Sequence, residues 1–239
     1  MIIKARAPLR LGLAGGGTDV SPYCDVHGGA VLNATIDRYA YAVLKTLNEP
    51  VIRFIASDRQ TELEVSIDHD LDDHRDHCLH MAVYKEMINK YNNGERIALE
   101  LNTSVDAPVG SGLGSSSTLV VVMIRAFVEL LNAPLDDYDI AQLAFKLERE
   151  DCGLKGGRQD QFAATFGGFN YMEFYADNRS IINPLRIRTS VINELESSLV
   201  LFYTGVSRES ARIIEDQSKN VKTGSDEAME AMHGIKQEA

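Results

Sequence analysis

The sequence predicts a fold in which strands and helices are mixed along the chain. Ala30–Lys45 is rich in β-branched and aromatic residues, which indicates one long strand or two short ones. Ile97–Val105 alternates between apolar and polar residues, as a half-buried strand does. Leu119–Leu131 is apolar over most of its length, so it predicts a helix that is largely buried.

Shorter patterns predict the remaining elements. Further strands are predicted at Ile2–Pro8, Val51–Ile55, Glu62–Ile67, Phe169–Tyr175, Ile181–Ile187 and Leu199–Tyr203, and further helices at Met81–Tyr91, Asp136–Glu150, Ser207–Lys219 and Ser225–Ala239. The last helix has no capping glycine or proline, and domains seldom end in such a pattern. We therefore expect the chain to be a fragment of a longer protein.

Composition and charge exclude several classes of protein. The 239 residues are 44% hydrophobic and 25% charged, which is ordinary for a globular protein. No apolar run approaches the roughly 18 residues that span a bilayer. The net charge of -11 argues against a general nucleic-acid binder, yet one ATP needs only local donors and Mg²⁺. The sequence gives no indication of the oligomeric state.

Cysteine and histidine do not predict a metal site or a disulfide. Cys24, Cys78 and Cys152 are widely spaced without a CxxC pair, so we expect a reducing, cytoplasmic setting. Four histidines lie together in a polar, acidic connector that favours solvated side chains over a metal site. They are His69, His74, His77 and His80.

The strongest local signal is the glycine- and serine-rich stretch Pro108–Thr118, between a predicted strand and a predicted helix. Gly110, Gly112 and Gly114 leave backbone N–H groups free to approach a large anion. The serines that follow open the helix, whose positive end adds to the site. The stretch fits neither the Walker A pattern nor GxGxxG. It predicts a polyphosphate site, with a turn that merely caps the helix as the alternative.

A second unusual stretch, Ala7–Asp19, runs from a predicted strand through three consecutive glycines to Thr18 and Asp19. Gly15–Gly17 permits tight backbone geometry, and Asp19 is placed to accept hydrogen bonds from hydroxyl groups. Arg10 lies in the strand and needs a partner if it is buried. The local pattern divides evenly between a ligand site and a tight turn in which Asp19 caps the following helix.

Two carboxylates, Glu148 and Asp160, suit the two needs of phosphoryl transfer. A metal ion must neutralise the phosphate charge, and another group must orient the attacking hydroxyl. Glu148 fits the first role and Asp160 the second. The alternatives are a solvated helix face for Glu148–Glu150 and a helix cap for Asp160.

Arg158 follows two glycines and is a candidate for gripping a phosphate on the substrate. Its guanidinium is able to make a bidentate contact with such a group. The alternative is a solvated arginine without a role, which is the more frequent case on protein surfaces.

Pro108–Thr118 closely resembles the second motif of the GHMP kinases, a family that includes galactokinase, homoserine kinase, mevalonate kinase and phosphomevalonate kinase. In that family this loop and the helix after it wrap the phosphates of ATP. The resemblance implies an ATP site made of Pro108, Gly110, Ser111, Gly112, Leu113, Gly114, Ser115 and Ser116. It also implies that Ser115 or Ser116 helps to hold Mg²⁺, and the choice between them stays open.

Ala7–Asp19 resembles the first motif of the GHMP sugar kinases, APGRVNLIGEHTDY. The matching positions are Arg10, Gly15, Thr18 and Asp19. Leu9 replaces a family glycine, and Gly16 and Gly17 replace an acidic–histidine pair that touches the sugar in galactokinases, which argues against galactose. With Cys24–Asp37, the stretch resembles the heptose-phosphate kinase branch. Its members phosphorylate the anomeric hydroxyl of D-glycero-D-manno-heptose 7-phosphate.

The interval of twelve residues between Glu148 and Asp160 resembles that between the metal-binding glutamate and the catalytic aspartate of galactokinases. The resemblance implies Glu148 as a metal ligand, Asp160 as base or orienter of the hydroxyl, and Arg10 beside Asp160. Whether the aspartate takes the proton stays open. With Arg158 added, the predicted substrate-binding residues are Arg10, Gly16, Gly17, Thr18, Asp19, Arg158 and Asp160.

The resemblance runs from Ile2 to the end of the chain and implies the α+β fold of the GHMP kinases. A domain like domain 2 of ribosomal protein S5 is expected over residues 1–190. The start of a ferredoxin-like domain is expected over 191–239, since no third motif of the KxxGAGxGG type follows Phe169.

The resemblance also implies a function. The chain is expected to use ATP and Mg²⁺ to phosphorylate a small sugar phosphate for surface-polysaccharide precursors, without a nucleic-acid or membrane partner. Two alternatives stay open: another GHMP sugar 1-kinase, acting on fucose or a uronic acid, and a non-catalytic sensor of sugar or nucleotide. Retention of both Glu148 and Asp160 argues against the sensor.

Overall fold

One mixed sheet organises the computed structural model, which describes residues 1–71, 75–205, 210–223 and 226–239. Its strands are β1 (Ile2–Ala14), β2 (Gly29–Thr46), β3 (Val51–Ala56), β4 (Thr61–Ser66), β5 (Leu99–Val105), β6 (Phe169–Phe174) and β7 (Ser180–Pro184). The helices are α1 (Tyr23–His27), α2 (Cys78–Tyr91), α3 (Ser115–Leu131), α4 (Asp137–Phe145), α5 (Gln159–Phe166), α6 (Thr189–Ser198), α7 (Ser210–Lys222) and α8 (Asp226–Gln237). A 3₁₀ turn, Arg75–His77, precedes α2, and a π-helix, Lys146–Asp151, follows α4.

The long strand β2 is the centre of the sheet. Along the order β4-β3-β5-β2-β6-β7, only β3 and β5 are parallel, and β1 pairs with β2 antiparallel. The register between β1 and β2 shifts between Pro8 and Arg10. Such irregularities bend a strand and redirect its side chains, and Arg10 comes directly after this one.

The buried helix α3 fixes the position of the glycine-rich stretch before it. Residues 120–124 of α3 are completely buried, and the helix packs against β1, β2 and α5. A helix enclosed on so much of its surface leaves its first turn little freedom to move. The sheet and helices around α3 form the main core of the protein.

Most predicted elements occur near their predicted bounds, with two exceptions around residue 200. The strand predicted at Leu199–Tyr203 is wrong, because residues 199–204 have no regular structure. Val200 and Phe202 are 87% and 81% exposed, and no described strand pairs with them. Apolar residues alone do not make a strand, since its backbone groups need a neighbouring edge. The preceding helix α6 was not predicted.

The helix predicted at Asp136–Glu150 is in fact two segments. Asp136 caps α4 by accepting a hydrogen bond from the Asp139 N–H, and the Asp139 carboxylate accepts one from the Asp136 N–H. After Phe145 the chain widens into the π-helix. This wider turn changes which side chains face inward, and such turns are frequent at functional sites.

The cysteine prediction is wrong, because Cys78 and Cys152 form a disulfide across 74 residues of sequence. The bond joins the start of α2 to the residue after the π-helix. Wide spacing in sequence did not exclude it, since α2 and the π-helix pack together. The argument for a reducing compartment from the cysteines is therefore lost, and a cytoplasmic location stays a prediction.

Several predictions fall partly outside the described residues. His74 and the starts of the helices predicted at Ser207 and Ser225 lie there. His77 and His80 are buried against Phe54, rather than solvated as expected. The predicted domain boundary after residue 190 falls inside α6, and the division into two domains stays a prediction. Among the described helices, none is both long and apolar enough to cross a bilayer.

Candidate active site

The glycine-rich stretch forms a loop between β5 and α3. Gly110, Gly112 and Gly114 have φ angles of 75°, 78° and 75°, which residues with a side chain rarely adopt. No described side chain caps the start of α3. The N–H groups of its first turn are therefore left to water or to a ligand. The loop and the helix start together have the properties of an anion-binding site.

Two residues of the predicted ATP site, Leu113 and Pro108, stabilise the loop and do not line the cleft. The Leu113 side chain is buried against Leu9 and Ala107, and its carbonyl accepts a hydrogen bond from the Arg10 N–H at 3.2 Å. The Pro108 carbonyl accepts one from the Ser111 N–H at 3.1 Å. Other members of the predicted site line a neighbouring cleft, namely Gly110, Gly112, Gly114, Ser115 and Ser116.

Arg10 connects the loop with α5. Its Nε and Nη2 lie 2.7 and 2.6 Å from Asp160 Oδ1, and its Nη1 donates to the Gly112 carbonyl at 2.6 Å. The side chains of Arg10 and Asp160 are 15% and 17% exposed, so the pair is sheltered but open to a ligand. Nε and Nη2 of Arg10 both contact Oδ1 of Asp160, so Oδ2 of Asp160 does not take part in the ion pair. The structure thus brings Arg10 and Asp160 together, as the sequence predicts.

Asp19 lies behind Asp160 and holds the start of α5. Its Oδ2 accepts hydrogen bonds from the backbone N–H of Arg158 at 2.7 Å and of Gln159 at 2.9 Å. Its Oδ1 accepts from the Gly17 N–H at 3.2 Å. Burial raises the pKa of Asp19, and the hydrogen bond from Gln159 opposes that rise. Asp19 is therefore a cap, as one reading of the sequence proposed, but of a helix about 140 residues away.

Thr18 is enclosed, although it was predicted to contact the substrate. Its hydroxyl oxygen lies 2.7 and 2.8 Å from the carbonyl oxygens of Gly15 and Ala30, which share its one proton, and it accepts a hydrogen bond from the Ala30 N–H. These bonds lock the triple-glycine turn onto the start of β2. Gly17 lines the cleft, and its carbonyl accepts a hydrogen bond from Gln217 Nε2 of α7 at 2.8 Å.

Glu148 lies on the π-helix with its side chain only 1% exposed. Its Oε2 accepts a hydrogen bond from Gln161 Nε2 at 2.7 Å. Its Oε1 has no hydrogen-bond partner among the described residues and lies 3.3 Å from Arg149 Nη1. The alternative of a solvated helix face is therefore wrong for this residue. Mg²⁺ prefers oxygen ligands, and Glu148, with one carboxylate oxygen that accepts no hydrogen bond from the described residues, lines the same cleft as Ser115 and Ser116, so these residues fit the ion.

Arg158 does not reach the cleft, which corrects its predicted role. Its side chain is 7% exposed, and its Nη1 donates to the Tyr175 carbonyl at 2.8 Å while Nη2 lies 3.3 Å from Asp25 Oδ1. The guanidinium lines a separate cavity of about 320 Å³ beside α4. Only its backbone N–H, bonded to Asp19, takes part in the candidate site.

The sequence reasoning missed three residues of the site. Arg149 was assigned to a solvated face, but its side chain is 12% exposed and donates to Ser117 Oγ at 3.2 Å. Gln161 donates to both Glu148 and Ser117. Ser117 and Gln161 lie beside residues that the motifs had singled out, which was the available signal. Arg149 lies beside Glu148, so the same signal existed, but the turn of the π-helix that brings its side chain to the site cannot be read from the pattern.

These groups surround one cleft with a volume of about 420 Å³. Its walls come from the glycine-rich loop, the end of β1, the π-helix and the start of α5. Four cations line it in a protein of net charge -11: Arg10, Arg59, Arg149 and Lys155. Three carboxylates, those of Asp19, Glu148 and Asp160, line the same cleft. Cations beside an anion-binding loop suit a phosphorylated ligand, and the carboxylates suit its metal ion and the acceptor hydroxyl.

Comparison with known proteins assigns this arrangement to a family. Residues 79–168 match the N-terminal domain of the GHMP kinases. The chain is 46% identical to a D-glycero-alpha-D-manno-heptose 7-phosphate kinase from Campylobacter jejuni, over 99% of this chain and 69% of that protein. The chain belongs to the GHMP kinase family.

Solved GHMP kinase structures agree with this assignment. A D-glycero-D-manno-heptose 1-phosphate kinase from Bacteroides thetaiotaomicron superposes with a TM-score of 0.79 at 44% identity, over 93% of this chain and 72% of that one. A galactokinase from Lactococcus lactis superposes at 0.63 over 98% of this chain and 66% of its own; at 19% identity it shows the fold alone. The predicted α+β GHMP kinase fold is confirmed.

Proposed function

We propose that this GHMP kinase transfers the γ-phosphate of ATP to the anomeric hydroxyl of D-glycero-D-manno-heptose 7-phosphate, giving the 1,7-bisphosphate. The chain is an ATP-dependent sugar kinase. The choice of heptose rests on the 46% identity to the Campylobacter jejuni protein. The names of the two heptose kinases cite different phosphate positions, so the reacting hydroxyl is our own assignment. The product would supply nucleotide-activated heptose for surface polysaccharides.

The observation that carries the proposal is the position of the Arg10 guanidinium. It contacts both Asp160 and the carbonyl of Gly112 in the glycine-rich loop. A sugar hydroxyl that approaches Oδ2 of Asp160 would therefore lie next to phosphates held by the loop. Asp160 is then placed to orient the hydroxyl and to accept its proton. Arg10 is near enough to stabilise negative charge on the phosphoryl group in transfer.

The other side chains of the cleft have supporting roles in this proposal. Mg²⁺ would neutralise charge on the β- and γ-phosphates. Glu148, with Ser115 or Ser116, would hold the ion. The uncapped N–H groups of α3 would bind the phosphates. Gly17 would line the sugar side of the cleft beside Gln217, and Asp19 would hold α5 so that Asp160 faces the sugar.

The test is the release of ADP from Mg·ATP by the full-length protein with a panel of sugars. The panel compares D-glycero-D-manno-heptose 7-phosphate with unphosphorylated heptose, mannose, fucose, a uronic acid and galactose. We expect a preference of at least about 100-fold in kcat/KM for the heptose phosphate, which is about 3 kcal/mol of transition-state binding. NMR of the product should find the new phosphate on C1.

Each other outcome identifies an alternative. A preference for fucose or a uronic acid would overturn the choice of heptose and leave a GHMP sugar 1-kinase. Relatives of this kind are known, since the chain is 27% identical to a bifunctional fucokinase/GDP-fucose pyrophosphorylase from Arabidopsis thaliana over 88% of this chain. No turnover with any sugar, together with sugar binding in calorimetry, would favour the sensor.

A further inference from the structure

Arg149 ties together three parts of the cleft. Its Nη2 donates to Ser117 Oγ at the start of α3 at 3.2 Å. Its Nη1 donates to the Lys155 carbonyl at 3.1 Å and lies 3.3 Å from Glu148 Oε1. One guanidinium thus contacts the helix that follows the phosphate loop, the candidate metal ligand, and the segment that leads to Asp160.

Gly156 is shaped to receive this guanidinium. A Cβ built on Gly156 would overlap Arg149 Cζ and Nη2. Gly156 does not have a positive φ, so its backbone conformation is one that alanine also adopts. The need for glycine is therefore steric and comes from Arg149. The absence of a side chain at Gly156 lets the guanidinium approach this segment closely.

The contacts require arginine rather than any cation. Glu148 is almost fully buried, and a buried carboxylate is costly without a positive partner. A guanidinium presents several donors in a fixed plane, whereas an ammonium is a point charge on a flexible chain. Lysine would be able to balance the charge of Glu148, but not to hold Ser117 and the Lys155 carbonyl in the same geometry.

We propose that Arg149 is a positioning residue that orients the Glu148 carboxylate for the divalent cation of the Mg·ATP complex. The inference rests on the proposed function, since it takes Glu148 as the metal ligand. Groups that orient metal ligands commonly change metal affinity by tenfold or more when they are altered. Arg149 also fixes the position of Glu148 relative to the start of α3. The cation at Glu148 and the phosphates at the glycine-rich loop are then held next to each other.

The test measures binding of manganese(II), a paramagnetic stand-in for magnesium, to the protein–ATP complex by electron paramagnetic resonance. We expect Arg149→Lys to weaken manganese binding about tenfold. Binding of ATP in the presence of EDTA should change by less than about twofold, since α3 and its loop stay intact. The affinities are measured by titration, so the readout does not depend on turnover.

Gly156→Ala provides a second variant, which alters no charged residue of the sequence. The added methyl group displaces the guanidinium, so the same loss of manganese affinity is expected. The matched control is Arg125→Lys. Arg125 also bridges elements, through Asp137 of α4 and the Thr165 carbonyl of α5, but does not line the cleft. We expect the control to bind manganese and ATP as the unaltered protein does.

Two results would overturn the inference. The first is manganese affinity equal to that of the unaltered protein in Arg149→Lys and Gly156→Ala. The second is an equal loss in Arg125→Lys, which would indicate a general loss of stability. The proposed function fails separately: a protein whose manganese affinity depends on Arg149 but which does not phosphorylate the heptose phosphate would refute only the substrate. Heptose kinase activity with unchanged manganese affinity in the variants would refute only the role of Arg149.

Discussion

At the scale of single residues, Asp19 illustrates how one carboxylate positions the site through the backbone. It accepts the backbone N–H groups of Arg158 and Gln159, and Asp160 is the next residue along α5. Gly157 approaches so closely that a Cβ there would overlap the Asp19 carboxylate. The position of the candidate catalytic group therefore depends on a residue near the other end of the sequence.

We expect Asp19→Ala to destabilise the protein by about 2 kcal/mol, because two buried N–H groups lose a charged acceptor. The measurement is urea unfolding followed by circular dichroism. Asp70→Ala is the control: Asp70 is 83% exposed and pairs with Arg96 at 3.2 Å, so its loss should cost less than about 1 kcal/mol. Equal losses for the two variants would contradict the role of Asp19 as a cap.

At the scale of elements, α2 is fastened to β5 by a buried histidine. His80 Nε2 lies 3.0 Å from Thr103 Oγ1, and the ring packs against Phe54 and His77. Burial lowers the pKa of His80 to about 3, and electrostatic interactions with His77 and Arg59 act in the same direction. His80 is therefore neutral in the folded protein at pH values where it is protonated in the unfolded chain.

This difference predicts a loss of stability in acid. Below about pH 6.5, His80 of the unfolded chain binds a proton, whereas His80 of the folded protein does not bind one until about pH 3. Stability should fall over that interval, with His80 contributing about 1 kcal/mol per pH unit. In His80→Asn the free energy of unfolding should depend less steeply on pH, whereas the exposed control His69→Asn should keep the original slope. Identical slopes in all three proteins would rule out the assignment.

The helices and strands also show which parts of the structure sequence patterns can predict. The local pattern of residues predicted β2, β5 and α3, because the residues of each element define the surface that it buries. It failed at Leu199–Tyr203, where strand formation depends on an edge supplied by another segment. It also failed at the π-helix, since one wider turn moves Arg149 and Glu148 inward without changing the composition.

At the scale of the whole molecule, the candidate site joins distant parts of the sequence. Arg10 contacts Gly112 and Asp160, which lie 102 and 150 residues further along the chain. Local patterns cannot predict such contacts, because they depend on how the sheet and α3 bring the segments together. The family motifs predicted Arg10 beside Asp160, but they did not predict Arg149 or the buried side chain of Arg158.

The central claim is that phosphoryl transfer takes place where Arg10 and Asp160 meet. The most direct test is the turnover of Asp160→Asn in the full-length protein with Mg·ATP and heptose 7-phosphate. The variant keeps the size of the side chain but removes the proton acceptor, so kcat should fall by about 10²- to 10⁴-fold. Affinity for ATP should change little, and the exposed control Asp37→Asn should leave both values unaltered. Near-normal turnover in Asp160→Asn would contradict the account.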